Sequence, residues 1–216
     1  MFSKEYAKYY DLFNKDKLYK KEIDFIYKWA ERPRNILDIC CGTANYWEFF
    51  PKNTRIVGIE KSKDMIQASG KGEEIFPLDA VFIRELDFVS DFDLATALFD
   101  AVNYIPSHNW WKDIPIKAGG FFIFDIFDKE KIRKEGFKKT SKVVGDITRT
   151  ITPLSCNGDI VNLEVDVQEN GLGFQEHHML YLYSEEDINK FCGEYFEIEE
   201  IKKTKTWQVW YKLRKR

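Results

Sequence analysis

Asp38, Gly42 and Glu60 are the residues whose types and spacing first suggest chemistry in this chain. Asp38 belongs to the apolar run 36–39, which passes straight into Cys-Cys-Gly-Thr-Ala-Asn, a turn of small residues followed by a predicted helix. Glu60 closes a second apolar run, 55–59. In an open α/β sheet this pairing holds a nucleoside: the small turn lets backbone approach the ligand, and the carboxylate on the next strand accepts from the ribose hydroxyls. The pattern therefore points to an adenosine-containing ligand.

The elements that must position these groups are readable from periodicity. Residues 1–32 form a helical arm, with Ile23, Ile26, Tyr27 and Ala30 at helical spacing and Pro33 after its end. Five strand-like runs follow, at 35–39, 55–59, 81–86, 93–97 and 121–127, alternating with helical patterns. That alternation predicts a parallel sheet with helices on both faces. Ser62 is the expected N-cap of the helix after the second strand.

Three β-like runs come next, at 142–152, 160–168 and 174–183, separated by Cys-Asn-Gly-Asp and Glu-Asn-Gly-Leu turns. Asn-Gly between alternating runs signals a hairpin, so this stretch reads as an antiparallel insertion. Ser184-Glu-Glu-Asp187 looks like a capping box opening a last helix, and 196–203 with 206–213 like a closing antiparallel pair. The expected organisation is one domain: arm 1–32, nucleoside-binding core 33–128, insertion 142–183 serving as a lid, and closing elements 184–216.

With 216 residues, 44% of them hydrophobic and 16% aromatic, the chain can bury a full core. Its 33 basic and 36 acidic residues leave a net charge of −3, which gives no overall attraction to a phosphate backbone and disfavours nucleic acid as a partner. The polar start Met-Phe-Ser-Lys-Glu-Tyr and the lack of a long apolar run predict a soluble, cytoplasmic protein without a membrane partner. Cys40, Cys41, Cys156 and Cys192 lack metal-ligand spacing and are expected as reduced thiols, and His108, His177 and His178 are too few for a histidine-rich centre. No metal is expected.

Together these segments resemble the class I S-adenosylmethionine-dependent methyltransferases over nearly the whole chain. Leu37-Asp-Ile-Cys-Cys-Gly-Thr43 is similar to the family's acidic-x-Gly-x-Gly-x-Gly motif, and Val57-Gly-Ile-Glu-Lys-Ser-Lys-Asp-Met65 to the second. Leu86-Asp-Phe88 with Phe92-Asp-Leu94 resembles the third, Leu98-Phe-Asp-Ala-Val-Asn-Tyr-Ile105 the fourth, and Gly119-Gly-Phe-Phe-Ile-Phe-Asp125 the fifth. Cys40 and Ala44 stand where the first motif has glycines; both are small, but neither takes positive φ as glycine does.

The resemblance implies a Rossmann-like, mostly parallel seven-stranded sheet and S-adenosylmethionine as cofactor. Asp38 would then orient the loop and the methionine amine, with Cys40 and Gly42 giving room and Glu60 holding the ribose. Met65 would pack on the adenine, Asp87 accept from its N6 amine, the Phe88 backbone meet the ring edge, and Leu98 border the site. The plain alternatives are a helix-core Met65, a turn Asp87 and a solvated Glu60.

The arm, Tyr6-Ala-Lys-Tyr-Tyr-Asp-Leu-Phe13 with Lys17-Leu-Tyr19, resembles that of small-molecule amino-sugar and glycine N-methyltransferases, which implies that Tyr10 and Tyr19 reach the methionine carboxylate or the acceptor. Alternation in the last run of the insertion sends one of His177 and His178 to each face, and His178 is the preferred candidate to orient or deprotonate an amine. The resemblance of the fourth motif implies that Asn103 and Tyr104 lie near the transferring methyl. Asn103-Tyr-Ile-Pro106 lacks the double proline with which nucleic-acid amino-methyltransferases grip a flipped base. The expected acceptor is a small molecule, an amine before a phenol, bound by a monomer or homodimer. A nicotinamide-dependent oxidoreductase and a non-catalytic binding protein on the same fold are the alternatives.

Overall fold

The computed structural model describes residues 2–87, 92–106 and 109–216. The helical arm is a pair of helices, α1 (Lys4–Asn14) and α2 (Tyr19–Trp29). The Ser3 side chain accepts from the Tyr6 amide to start α1. Beyond the arm run β1 (Asn35–Ile39), β2 (Arg55–Glu60), α3 (Lys63–Ser69), β3 (Ile75–Pro77), β4 (Phe92–Ala97) and β5 (Ile116–Phe127). The remainder comprises α4 (Lys129–Glu135), β6 (Thr140–Val144), β7 (Ile147–Asn157), β8 (Ile160–Glu169), β9 (Leu172–Tyr181), α5 (Glu185–Cys192), β10 (Phe196–Lys203) and β11 (Gln208–Lys215).

Seven strands form one sheet in the order β10-β11-β5-β4-β1-β2-β3. Its five central and far-edge strands are parallel, while β11 runs antiparallel to β5 and β10 to β11. Apolar side chains on successive positions go to opposite faces, as the pleat requires. Leu37, Ile39, Phe122 and Phe124 pack on one side with Trp110, Trp111 and Ile188 of α5. Ile36, Leu94, Phe121 and Ile123 pack on the other with Ile23 and Ile26 of α2. Trp110 and Trp111 are thus core, and each fully buried large side chain contributes about 1.5–3 kcal/mol.

The structure departs from the expected elements between β1 and β5. The run 81–86 is not a strand: Ala80–Glu85 forms a 3₁₀ turn, and the third strand is the short Ile75–Pro77 upstream of it. The helix expected after β1 shrinks to a 3₁₀ turn over Trp47–Phe49, and the β4–β5 crossover also carries 3₁₀ turns, at Ala101–Tyr104 and Asn109–Asp113. The arm helix α2 covers the face left open.

The insertion is a second, four-stranded antiparallel sheet, β6-β7-β8-β9. The run 142–152 divides at Gly145, whose φ of 60° turns β6 into β7, so four strands stand where three runs were predicted. Asn170 (φ 50°) and Gly171 (φ 80°) make the β8–β9 hairpin, both in the left-handed region that a two-residue type I′ turn needs. Ser184 and Asp187 form the predicted capping box. No helix among the described residues is long and apolar enough to cross a membrane.

Candidate active site

The carboxyl ends of β1, β2 and β4 open into a cavity of about 480 Å³, closed on its far side by the second sheet and by α1. A narrower recess of about 30 Å³ continues beside the loop after β1. The volume of the main cavity lies within the range of small-molecule sites, roughly 300–1,000 Å³.

On the sheet side, Asp38 is buried, its oxygens accepting from Trp47 Nε1 at 2.7 Å and Thr96 Oγ1 at 2.8 Å. Burial lifts its pKa to about 6 against the pull of those two donors. The turn after it alternates through the left-handed region: Cys40, Gly42 and Ala44 have φ of 56°, 58° and 58°. The backbone thus keeps a glycine-loop shape with cysteine and alanine in two of the three positions. Gly42 donates its amide to Glu60 Oε2 at 3.0 Å, and Ser62 donates to Oε1 at 2.7 Å. Burial raises the Glu60 pKa, and these amides offset part of that. A carboxylate oxygen can accept more than once, so Glu60, which lines the cavity, keeps capacity for further donors such as a pair of hydroxyls. Met65, fully buried, would lie only 3.5 Å from a Cβ at Gly42 and floors the same slot.

Tyr10, Tyr19, Asp38, Cys40, Gly42 and Leu98 line the narrow recess, and Tyr10, Cys40, Gly42, Glu60, Met65 and Leu98 line the main cavity. Asp87 is exposed and outside both, because the 3₁₀ turn carries the chain past the cavity before reaching it. Asp79, at the start of that turn, lines the cavity in its place, with its side chain accepting from the Val81 amide. Phe88 lies outside the described residues.

Asn103 is also displaced from its expected role. It is fully buried, accepting from the Phe127 amide at 3.0 Å and donating to the Tyr181 carbonyl at 2.6 Å, so it ties the β4 turn to β5 and β9. Its neighbour Tyr104 faces the cavity. The Tyr104 hydroxyl is 3.1 Å from His178 Nδ1, and His178 Nε2 is 3.0 Å from Glu176 Oε2. A carboxylate only accepts, so Nε2 carries the proton and Nδ1 accepts from the phenol. Burial acts to raise Glu176, but hydrogen bonds from His178 and Ser3 prevail and hold it below the usual carboxylate range. Burial and then nearby Asp100 raise the phenol of Tyr104, which stays a neutral donor.

The β-sheet period explains this wall. Arg149 and Ile151 on β7, Leu163 and Val165 on β8, and His178 and Leu180 on β9 all face the cavity. His177 points the other way, toward Glu164 and solvent. Glu176 and Arg149 were not singled out by the sequence; the alternation that separates His177 from His178 also places Glu176 on the inner face.

The arm closes the cavity from above. Asp11 accepts from Thr43 Oγ1 at 2.6 Å and Asn45 Nδ2 at 2.7 Å, pinning α1 to the loop after β1. Phe2 stands edge-on to His178, and its carbonyl accepts from Ser62 Oγ at 3.1 Å. The Ser3 amide donates to Glu176 Oε1 at 2.6 Å. One segment therefore bridges the Glu60 side and the histidine side. Among the described residues no group of three or more His, Cys, Asp or Glu is placed to hold a metal ion.

No family model and no curated protein matches the chain. Solved structures do. An S-adenosylmethionine-dependent methyltransferase from Clostridium acetobutylicum superposes with a TM-score of 0.78 at 23% identity, covering 98% of this chain and 97% of that one. Streptomyces venezuelae DesVI gives 0.79 at 18% identity, with 98% of each chain covered. S-adenosylmethionine-bound CalS10, an amino pentose methyltransferase from Micromonospora echinaspora, gives 0.77 at 16%, covering 100% and 98%. The chain has the Rossmann-like fold of S-adenosylmethionine-dependent methyltransferases, its second sheet included.

Proposed function

We propose that this chain is an S-adenosylmethionine-dependent methyltransferase acting on a small-molecule amine. The observation that carries the reading is that one cavity is bracketed by Glu60 on the sheet side and by the Tyr104–His178–Glu176 chain on the other. Glu60 would hold the ribose, Met65 and Asp79 the adenine end, and Tyr10, Tyr19, Asp38, Cys40, Gly42 and Leu98 the methionine end. The cofactor, when bound, supplies a methyl group already activated on a sulfonium.

The protein's own task is then to exclude water, align the acceptor and dispose of one proton. The arm and the apolar residues Ile151, Leu163 and Leu180 provide the dry wall. An amine N–H donates to the Tyr104 oxygen, Tyr104 donates to His178 Nδ1, and Glu176 stabilises the imidazolium once that nitrogen takes the proton. Net charge and the absence of the double proline support a small acceptor over nucleic acid. The reading includes a cytoplasmic enzyme, monomeric or homodimeric.

Incubating the chain with methyl-labelled S-adenosylmethionine and a panel of amines and phenols tests it. Label transfer to amines is expected; cofactor binding with transfer only to phenols would overturn the nitrogen assignment.

A further inference from the structure

Two charged side chains in the cavity have no task in the scheme above. Asp100 follows β4 by three residues and sits in the left-handed region, at φ 52° and ψ 22°. That conformation costs a non-glycine residue about 1–2 kcal/mol, and Asp125 holds it there by accepting from the Phe99 and Asp100 amides at 2.7 and 3.0 Å. The Asp100 carboxylate itself does not cap the turn it begins, and among the described residues it makes no hydrogen bond or ion pair. It lines the main cavity but not the recess beside Asp38, and its charge acts on Tyr6, Tyr10 and Tyr104. Burial and then the neighbouring Asp125 push the half-buried Asp100 carboxyl well above the usual carboxylate range, so a guest that donates to it would favour its charged form.

Arg149 faces the same space from β7. Its Nη1 donates to Tyr6 Oη at 3.2 Å, and its guanidinium lies 4.9 Å from the centre of the Phe13 ring. Its Nε is buried with no hydrogen-bond partner, and no carboxylate pairs with it among the described residues. The guanidinium fork matches planar anions, carboxylate or phosphate, through two parallel hydrogen bonds.

We infer that the acceptor carries two recognition groups: an amine whose N–H donates to Asp100, and a carboxylate or phosphate bound by Arg149. The acceptor is thus an anion-bearing amine with an apolar face toward Ile151, Leu163 and Val165, rather than a simple amine. This rests on the methyltransferase reading. Asp100 places the nitrogen beside Tyr104, where the proton leaves, and Arg149 fixes the other end of the molecule.

The test uses matched probes on the full chain saturated with S-adenosylhomocysteine: phenethylamine against phenylalanine for carboxylate, and glucosamine against glucosamine 6-phosphate for phosphate. Calorimetric titration is expected to show the anionic member of at least one pair binding about 10- to 100-fold more tightly, the range of one charge-assisted contact, and the preferred pair identifies the anion. Arg149→Met should abolish that preference, with Arg149→Lys keeping part of it. Asp100→Asn, which tolerates the left-handed backbone, should weaken both members of the pair alike. Equal binding within both pairs, or a preference that survives in Arg149→Met, overturns the inference. So does an Asp100→Asn effect on S-adenosylhomocysteine rather than on the amines. Failure of S-adenosylhomocysteine to bind the unaltered chain instead overturns the methyltransferase reading, and this inference with it.

Discussion

The amide of Gly42 donates to Oε2 of Glu60 across 3.0 Å, so the carboxylate that ends β2 also holds the loop that follows β1. Two features that look independent in the sequence are one unit: the loop is shaped by the residue that would grip the ribose. A substitution at Glu60 therefore acts twice, on the ligand and on the loop.

The loop's glycine-like shape can be tested at Ala44. There a left-handed backbone costs about 1–2 kcal/mol, against roughly 0.8 kcal/mol for the buried methyl and 0.5–1 kcal/mol for glycine's added chain entropy. Ala44→Gly should accordingly be within about 1 kcal/mol of the parent in urea unfolding. Ala44→Val, β-branched at positive φ and buried, should lose about 2 kcal/mol or more. Equal stability of parent and valine variant would contradict the loop conformation.

Asp38 gives a pH signature. Its pKa of about 6 in the fold exceeds that of an unfolded aspartate, so the folded state binds this proton more tightly. The stabilisation is complete below about pH 4 and is lost as the pH rises through 6, a change on the order of 3 kcal/mol. Asp38→Asn should lack this component, and stability compared with the parent should move in the variant's favour between pH 4 and 7. A constant difference across that window would contradict the buried, proton-holding carboxyl.

On the histidine side, His178→Gln and Tyr104→Phe should lower kcat by about 100-fold, the usual scale of a lost proton-transfer group. Cofactor affinity should not change. Glu176→Gln, which presents either a donor or an acceptor to Nε2, should cost about 10-fold through loss of the imidazole tautomer. His177→Gln, on the outer face, should be silent. Unchanged kcat in His178→Gln would remove the histidine from the reaction.

Much of this was legible because it follows from short periods. Asp38, Gly42 and Glu60 sit at strand ends, where alternation and a small-residue turn fix both the element and the direction in which the chain leaves it. The capping box at Ser184 and the Asn170-Gly171 hairpin are local chemistry. The third strand was not legible: Ile75–Pro77 has only three residues, and the apolar 81–86 run that resembles a strand is a 3₁₀ turn whose Ala80 and Ile83 pack at a spacing of three. The expected adenine contact accordingly fell on Asp87, whereas the acid that lines the cavity is Asp79. Asn103 and Tyr104, both expected beside the site, part for a similar reason: a 3₁₀ turn rotates adjacent residues to different sides, so only Tyr104 faces the cavity. Glu176 with Ser3, and Arg149 with Tyr6, are pairings over large sequence separations that no local pattern encodes.

The adenine assignment separates the two acids directly. Asp79→Asn should weaken S-adenosylhomocysteine binding by about 5- to 10-fold, the worth of one hydrogen bond to a partly buried group. Asp87→Asn should leave it unchanged. The reverse order, measured by calorimetry, would restore Asp87 to the site.

The most direct test of the central claim is calorimetric titration of the chain with S-adenosylmethionine, S-adenosylhomocysteine and nicotinamide dinucleotides, repeated on Glu60→Ala. Expected are micromolar binding of the first two, no binding of the dinucleotides, and at least about 100-fold weaker binding by Glu60→Ala, from two lost charge-assisted hydrogen bonds and a loosened loop. Dinucleotide binding in their place, or undiminished S-adenosylhomocysteine binding by Glu60→Ala, would contradict it.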